Sequence, residues 1–313
     1  MDKQKIKFLL SNPRELLLRL TFYVSKYFKD ETYIKLQFLI KYGKFLNLHN
    51  PKTYREKLQW LKLYYHRPEM SIMVDKYEVK KYVADKIGSQ YIIPPIGIYK
   101  HFDDIKFSEL PNKFILKCTH DSGSYVIVHD KSKFLSSPAF DRAKHRIEKG
   151  LNRNYFFIHR EWPYKSLKPM ILVEELLEDE KNNFLTDYKF YCFNGIPQIM
   201  YISHDIAKQA YTDFFDMDYN HLPIKMKDPN SKNPPKQPAE FEEMKKLAQI
   251  LSKGLPHVRV DFYVVNHRIY FGELTFFHNG GLFPLYPQEW DYKLGDMLQL
   301  PTEIINNCCK EEK

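Results

Sequence analysis

The sequence predicts an α+β protein whose first part is basic and helical and whose later part is built from short strands with intervening helices. Three observations carry this. Apolar residues recur at helical spacing in 54–65; short β-rich runs bounded by turn signals follow from residue 91; and the stretch 257–276 alternates apolar and polar residues with a period of two.

Residues 1–65 read as helical. Leu16, Leu17, Leu18, Leu20, Phe22, Tyr23 and Val24 mix with Lys and Arg up to about Phe28. That pattern suits a helix packed on the main domain, the simpler reading, or one lying on a membrane surface through residues 1–45. Leu58, Leu61 and Leu63 around Trp60 mark an amphipathic helix, and another is expected over 69–88, stopped by Gly88. YIIPPIGIY (91–99) is a strand entered through a Pro-Pro turn. FILKC (114–118) and YVIVHD (125–130) are strands joined by the turn THDSG (119–123). A basic helix follows over 138–151, then the apolar strand MILVEEL (170–176), acidic at its end. DYKFYCFNG and IPQIMYI (187–202) form a hairpin about Asn194-Gly195, a strong turn signal. Five prolines between 223 and 238 mark a loop or lid, a helix spans about 239–253 up to Gly254, and the hairpin 257–264/268–276 closes the pattern.

Composition bounds the function. The 313 residues are 43% hydrophobic, 28% charged and 16% aromatic, a folded chain with room for one large unit or two to three subdomains. The net charge of +9, much of it in the first 65 residues, attracts polyanions. No common nucleic-acid motif is visible, so no nucleic-acid partner is expected. Cys118, Cys192, Cys308 and Cys309 form no C-x-x-C pair, which argues against structural zinc. With no signal-peptide pattern and no apolar run near the roughly 18–20 residues that span a bilayer, a cytoplasmic protein is expected, at the inner face of the membrane if its N-terminus touches lipid.

The last hairpin carries the sharpest chemistry. Val258, Val260, Phe262 and Val264 alternate with Arg259, Asp261 and Tyr263, so one face is core and the other presents a cation and a carboxylate. A register that sets Asp261 opposite Glu273 and Arg259 opposite Thr275 brings the two carboxylates to about 4.5–5.5 Å at Cβ. They repel unless a cation lies between them. Mg²⁺, which takes hard oxygens from protein and substrate phosphate, is the natural candidate; simple pairing with Arg259 or a lysine is the alternative. Register decides. A two-residue turn at Asn266-His267 would oppose Asp261 to Gly272 and send Glu273 to the other face, so a shared metal requires an odd register or a bulge.

Three further features are weaker alone. Lys117 sits among apolar residues on a strand that runs into a glycine-containing turn, where backbone N–H groups can cradle phosphate, though a snorkelling lysine reads the same. Glu174-Glu175-Leu176-Leu177 ends a strand, either meeting solvent or forming a hinge that pairs with adenine. Asp216-Met217-Asp218 fits a D-x-D metal pattern formally and a turn between strands more simply.

In this order, Lys117 with its turn, the Glu174–Leu177 segment, RVDF and GELTF resemble the ATP-grasp superfamily, which sandwiches ATP between two α+β subdomains. EKLQWLKLY (56–64), VDKYEVKKYVADKIG (74–88), FILKCTHDSG (114–123), REWPYK (160–165) and DYKFYCFNG narrow the resemblance to its TupA-like branch, from bacterial polysaccharide loci, over about residues 50–300. The expected organisation is a helical segment (1–65), an ATP-grasp region (66–300) split into a nucleotide-lid subdomain (about 90–170) and a metal-binding subdomain (about 171–300), and a tail (301–313).

The resemblance implies roles residue by residue. Lys117 grips ATP phosphates; Thr119, Asp121, Ser122 and Gly123 belong to the loop that closes over them. Glu174, Glu175 and Leu177 form the adenine hinge, the last two through backbone. Asp187 meets the ribose and Lys189 adds a phosphate contact. Asp261 and Glu273 hold Mg²⁺, and Arg259 steadies an acyl phosphate. Thr275 stands where many such ligases have asparagine, which leaves a hydroxyl beside the metal. HNGGL (278–282) resembles the substrate-proximal loop loosely. The implied activity joins a carboxylate of an acidic polysaccharide or uronate acceptor to the amine of an amino acid or peptide, in capsule or cell-wall synthesis. The alternatives are a glycosyltransferase using a sugar nucleotide and a nucleotide-binding scaffold without turnover.

Overall fold

Two antiparallel sheets organise the chain. In a computed structural model, residues 11–179, 185–204, 210–226, 228–302 and 305–306 are described. The strands are β1 (Tyr65–His66), β2 (Pro95–Tyr99), β3 (Phe114–Cys118), β4 (Tyr125–Val128), β5 (Ile171–Glu175), β6 (Thr186–Phe193), β7 (Ile196–His204), β8 (Tyr211–Asp216), β9 (His221–Leu222), β10 (His257–Val265), β11 (Arg268–Thr275) and β12 (Ile305–Asn306). The smaller sheet has the order β2-β5-β3-β4 and the larger β11-β10-β6-β7-β8-β9, while β1 and β12 form a short parallel pair.

Local sequence explains the larger sheet. Asn194 (φ 52°) and Gly195 (φ 82°) both adopt the left-handed conformation that a tight β6–β7 hairpin turn needs. In β10 the apolar set Val258, Val260 and Phe262 is completely buried. It packs with Phe190 of β6 beneath the helix Phe241–Ser252, whose Phe241 ring stacks 6.0 Å from Phe190. The smaller sheet buries Phe114, Leu116, Ile171 and Val173 against Phe134 and Ile147 of the helices Lys131–Leu135 and Ala139–Leu151.

One expectation needs correction. The helix expected over 69–88 is two, Glu69–Val74 and Glu78–Ile87. Asp75 ends the first and accepts the N–H groups of Tyr77 (2.8 Å) and Glu78 (3.0 Å), capping the second. β5 lies between β2 and β3 in the smaller sheet. The helix Tyr54–Tyr64 puts Leu58 and Leu61 into the same core as β6 and β10, and β12 pairs with β1.

The N-terminal helices Pro13–Val24 and Asp30–Tyr42 dock on the stretch 156–160. Gln37 Nε2 and the Tyr33 hydroxyl donate to the Ile158 carbonyl (2.9 and 3.2 Å), and Arg160 donates to the Ser25 carbonyl (2.5 Å) and pairs with Asp30 (2.7 Å). Leu17, Leu20, Tyr23 and Tyr27 stay exposed on the outside. Among the described residues no helix is long and apolar enough to cross a membrane. Cys118 and Cys192 are buried free thiols; Cys308 and Cys309 lie outside the described residues.

Candidate active site

The polar face of the larger sheet gathers the charged residues of three strands. Residue pairs along the hairpin run Val265–Arg268 to Phe262–Phe271, set by the tight turn at Asn266 (φ 49°) and His267 (φ 60°). The register then slips: Asp261 pairs with Glu273 and Arg259 with Thr275, leaving Gly272 as the extra residue of a β-bulge. The bulge returns Glu273 to the face of Asp261. On the other side of β10, Asp261 pairs with Lys189 and Tyr263 with Asp187, so β6 adds its charges to the same face.

Arg259 ties the cluster together. Its guanidinium donates to both Asp261 oxygens (2.7 and 2.6 Å), to Glu273 (2.7 Å) and to the Thr275 hydroxyl (3.1 Å). Lys189 bridges Asp261 (2.6 Å) and Asp187. Burial acts to raise the Glu273 carboxyl, but Arg259, Lys189 and Lys76 hold it at about 2. Burial pushes the Asp187 carboxyl up, and its Oδ1 is buried with no hydrogen-bond partner among the described residues. Glu273, with 48% of its side chain exposed, is the carboxylate open to the cleft.

The smaller sheet supplies the facing cations. Lys117 Nζ donates to Glu174 (2.7 Å), and Lys80 of the helix Glu78–Ile87 pairs with the other oxygen of the same carboxylate. Glu174 is 2% exposed, so its side chain is a buried tie between two lysines. Glu175 at the end of β5 is exposed and Leu177 lies just beyond, half-buried. Lys76 links the two halves. Its N–H donates to the Thr119 carbonyl (3.1 Å), its ammonium to the Asp121 carbonyl, and it lies within the fields of Glu273, Lys117 and Asp121.

The turn 119–124 is divided in its roles. Asp121 is buried, and both its oxygens accept from Arg153 (2.6 and 2.5 Å), so its carboxylate braces the loop from within. Thr119 is buried with its hydroxyl unpartnered among the described residues, while Ser122 and Gly123 (φ 87°) form the exposed tip. Asp216 likewise serves a turn: its carboxylate accepts the N–H groups of Asp218 (3.0 Å) and Asn220 (2.8 Å).

Among the described residues, no group of three or more His, Cys, Asp or Glu could hold a metal by itself. Asp261 and Glu273 are two hard carboxylates on one face, the donor type a divalent ion takes together with phosphate oxygens; here they show the alternative pairing, with Arg259 on both and Lys189 on Asp261. Lys76, Lys80, Arg153 and Glu161 escaped the sequence reading. Lys76 and Lys80 stand four apart in VDKYEVKK, a spacing that could have flagged them.

A family model described as TupA-like ATPgrasp matches residues 56–299. Among solved structures, D-alanine–D-alanine ligase from Bacillus anthracis complexed with ATP is 17% identical, with a TM-score of 0.38, over 66% of this chain and 55% of that one. The Helicobacter pylori D-alanine–D-alanine ligase is 16% identical, with a TM-score of 0.39, over 74% of this chain and 62% of that one. The ATP-grasp ligase PsnB complexed with minimal precursor, Mg and ADP is 12% identical, with a TM-score of 0.38, over 88% of this chain and 65% of that one. The chain thus spans less than two thirds of these ligases' lengths. No curated protein matches the chain.

Proposed function

The chain belongs to the TupA-like ATP-grasp family and has the ATP-grasp fold, and from that premise we propose that it is a Mg-ATP-dependent carboxylate–amine ligase. The observation that supports this best is the opposed Asp261–Glu273 pair, bridged by Arg259, with Glu273 and Lys117 both in the field of Lys76. Asp261 and Glu273, with Thr275 beside them, would hold the magnesium, which supplies neutralisation of phosphate charge when bound.

The chain's own residues do the rest by positioning. Lys117, Lys76 and Lys189 orient the triphosphate, with Ser122 and Gly123 closing over it. Backbone groups of Glu175 and Leu177 meet adenine, and Asp187 offers to the ribose its Oδ1, which has no partner among the described residues. Arg259 steadies the substrate carboxylate as it attacks the γ-phosphorus in line, and then the acyl phosphate formed. We assign the carboxylate to a uronate of an acidic capsular or cell-wall polysaccharide and the amine to an amino acid or peptide. The basic surface suits such an acceptor. The glycosyltransferase alternative is weakened because Asp216 is committed to its turn.

Thermal melting tests this. Mg-ATP should raise the melting temperature, since a ligand bound only by the native state stabilises it. Lys117→Ala should remove most of the shift. Stabilisation by UDP-sugars and not by ATP would sink the ligase assignment. ADP release screened against uronate glycans and amino acids then identifies the substrates.

A further inference from the structure

Glu161 is a charged group that the ligase chemistry described so far does not use. It is 4% exposed, yet among the described residues no hydrogen bond or ion pair reaches its carboxylate. Burying a carboxylate without a partner is costly.

Its position is enforced. Arg160 beside it takes a left-handed conformation (φ 58°) and is locked by Asp30, the Ser25 carbonyl and the rings of Tyr33, Phe156 and Phe157. Among the described residues the charges that act on Glu161 are those of Lys62, Glu273 and Arg259. Lys62 of the helix Tyr54–Tyr64 directs its ammonium to the carbonyls of His159 (2.8 Å) and Gly280 (2.6 Å). The hydroxyls of Tyr155 and Tyr164 lie in its field, as do Arg259 of β10 and Glu273 of β11. Glu161 therefore shares its field with Arg259 and Glu273, the residues assigned above to the acyl phosphate and the metal, and Lys62 links its surroundings to Gly280 of the HNGGL loop. Burial pushes its carboxyl up from the ordinary range, against the pull of Lys62.

We propose that Glu161 is the amine-binding residue: it pairs with the primary ammonium of the incoming substrate and accepts one of its protons. This rests on the ligase assignment. The freed amine attacks the acyl carbon, the C–N bond forms, and the C–O bond to phosphate breaks with its electron pair leaving on phosphate. The second proton lost by nitrogen goes to that phosphate, so amide, hydrogen phosphate and protonated Glu161 result.

Two nucleophiles separate the steps. Hydroxylamine is uncharged near neutral pH and needs no base, whereas ammonium must be bound and deprotonated. With Mg-ATP and D-glucuronate or D-galacturonate, the wild type should form hydroxamate from the first and uronamide from the second. Glu161→Gln should keep hydroxamate formation within about twofold and lose amide formation by about 100-fold or more. Equal loss of both, or retention of both, overturns the proposal, as does a wild type that makes hydroxamate but no amide. A wild type that makes neither refutes the ligase assignment and this proposal with it. Lys62→Met is the second variant. Removing that cation lets the Glu161 carboxyl rise further, so the pH profile of amide formation should move upward while that of hydroxamate stays. An unchanged amide profile would also overturn the assignment.

Discussion

Asp261 stands opposite Glu273 because Gly272, between Phe271 and Glu273, bulges out of the ladder. A Cβ on Gly272 would lie 3.1 Å from the Asp261 carbonyl and 3.1 Å from the Tyr263 ring, both inside the site. Gly272→Val should therefore cost about 1–3 kcal/mol and weaken the Mg-ATP melting shift. Deleting Gly272 has the opposite logic. It removes the extra residue and leaves Glu273 next to Phe271, still facing Asp261, so the shift should survive. A deletion that abolishes the shift beside a harmless valine would show that the bulge does something other than restore register.

Glu174 links Lys117 to Lys80 with a buried carboxylate. Burial acts to raise its pKa, but the two lysines win and hold it below the ordinary value. A depressed carboxylate stabilises the fold above its unfolded pKa, and that stability is lost as pH falls through the native one. Glu174→Gln leaves two lysines unbalanced and should cost about 3–5 kcal/mol at neutral pH. Its stability should also fall less steeply than the wild type's below about pH 4. Urea titrations at neutral and acid pH compare the two; parallel acid limbs would contradict the assignment.

Thr275 donates to Glu273 (2.9 Å) and accepts from Arg259. Thr275→Val removes both bonds and should weaken magnesium-dependent ATP binding. Thr275→Asn, which restores an oxygen acceptor, should bind at least as well as the wild type. Calorimetric titration of ATP with and without Mg²⁺ reads the difference. Equal affinities for the valine and asparagine variants would remove Thr275 from the metal's surroundings.

Removing residues 1–45 should leave nucleotide binding intact. None of the side chains placed around the triphosphate comes from that segment, so the Mg-ATP shift should persist in the truncated protein. The fold should suffer, because the helices there cover 156–160 and anchor the buried Arg160. Arg160→Ala, which loses three aromatic faces as well as Asp30, should cost about 2 kcal/mol by chemical unfolding. A truncated, folded protein that no longer binds Mg-ATP would show that the segment helps to build the site.

Alternation along a strand is local, and what it dictates is legible in the sequence alone. The period of two in HVRVDFYV assigns Val258, Val260 and Phe262 to the core and Arg259 and Asp261 to the open face, and Asn194-Gly195 closes the β6–β7 hairpin. The order of motifs is enough to place the chain near its family. The bulge at Gly272 is visible there only as a requirement, since a slip of one residue depends on how two strands settle against their neighbours. Other facts have no local signal at all. β5 joins the smaller sheet because β2 and β3 flank it. Glu174 is a tie between lysines because Lys80 reaches it from a helix much earlier in the chain. Glu161 is buried next to Arg160, which the N-terminal helices hold through Asp30. Side-chain period says which face a residue takes relative to its neighbours in sequence; what lies across the cleft from that face is decided by contacts between segments far apart in the chain, and only folding brings those together.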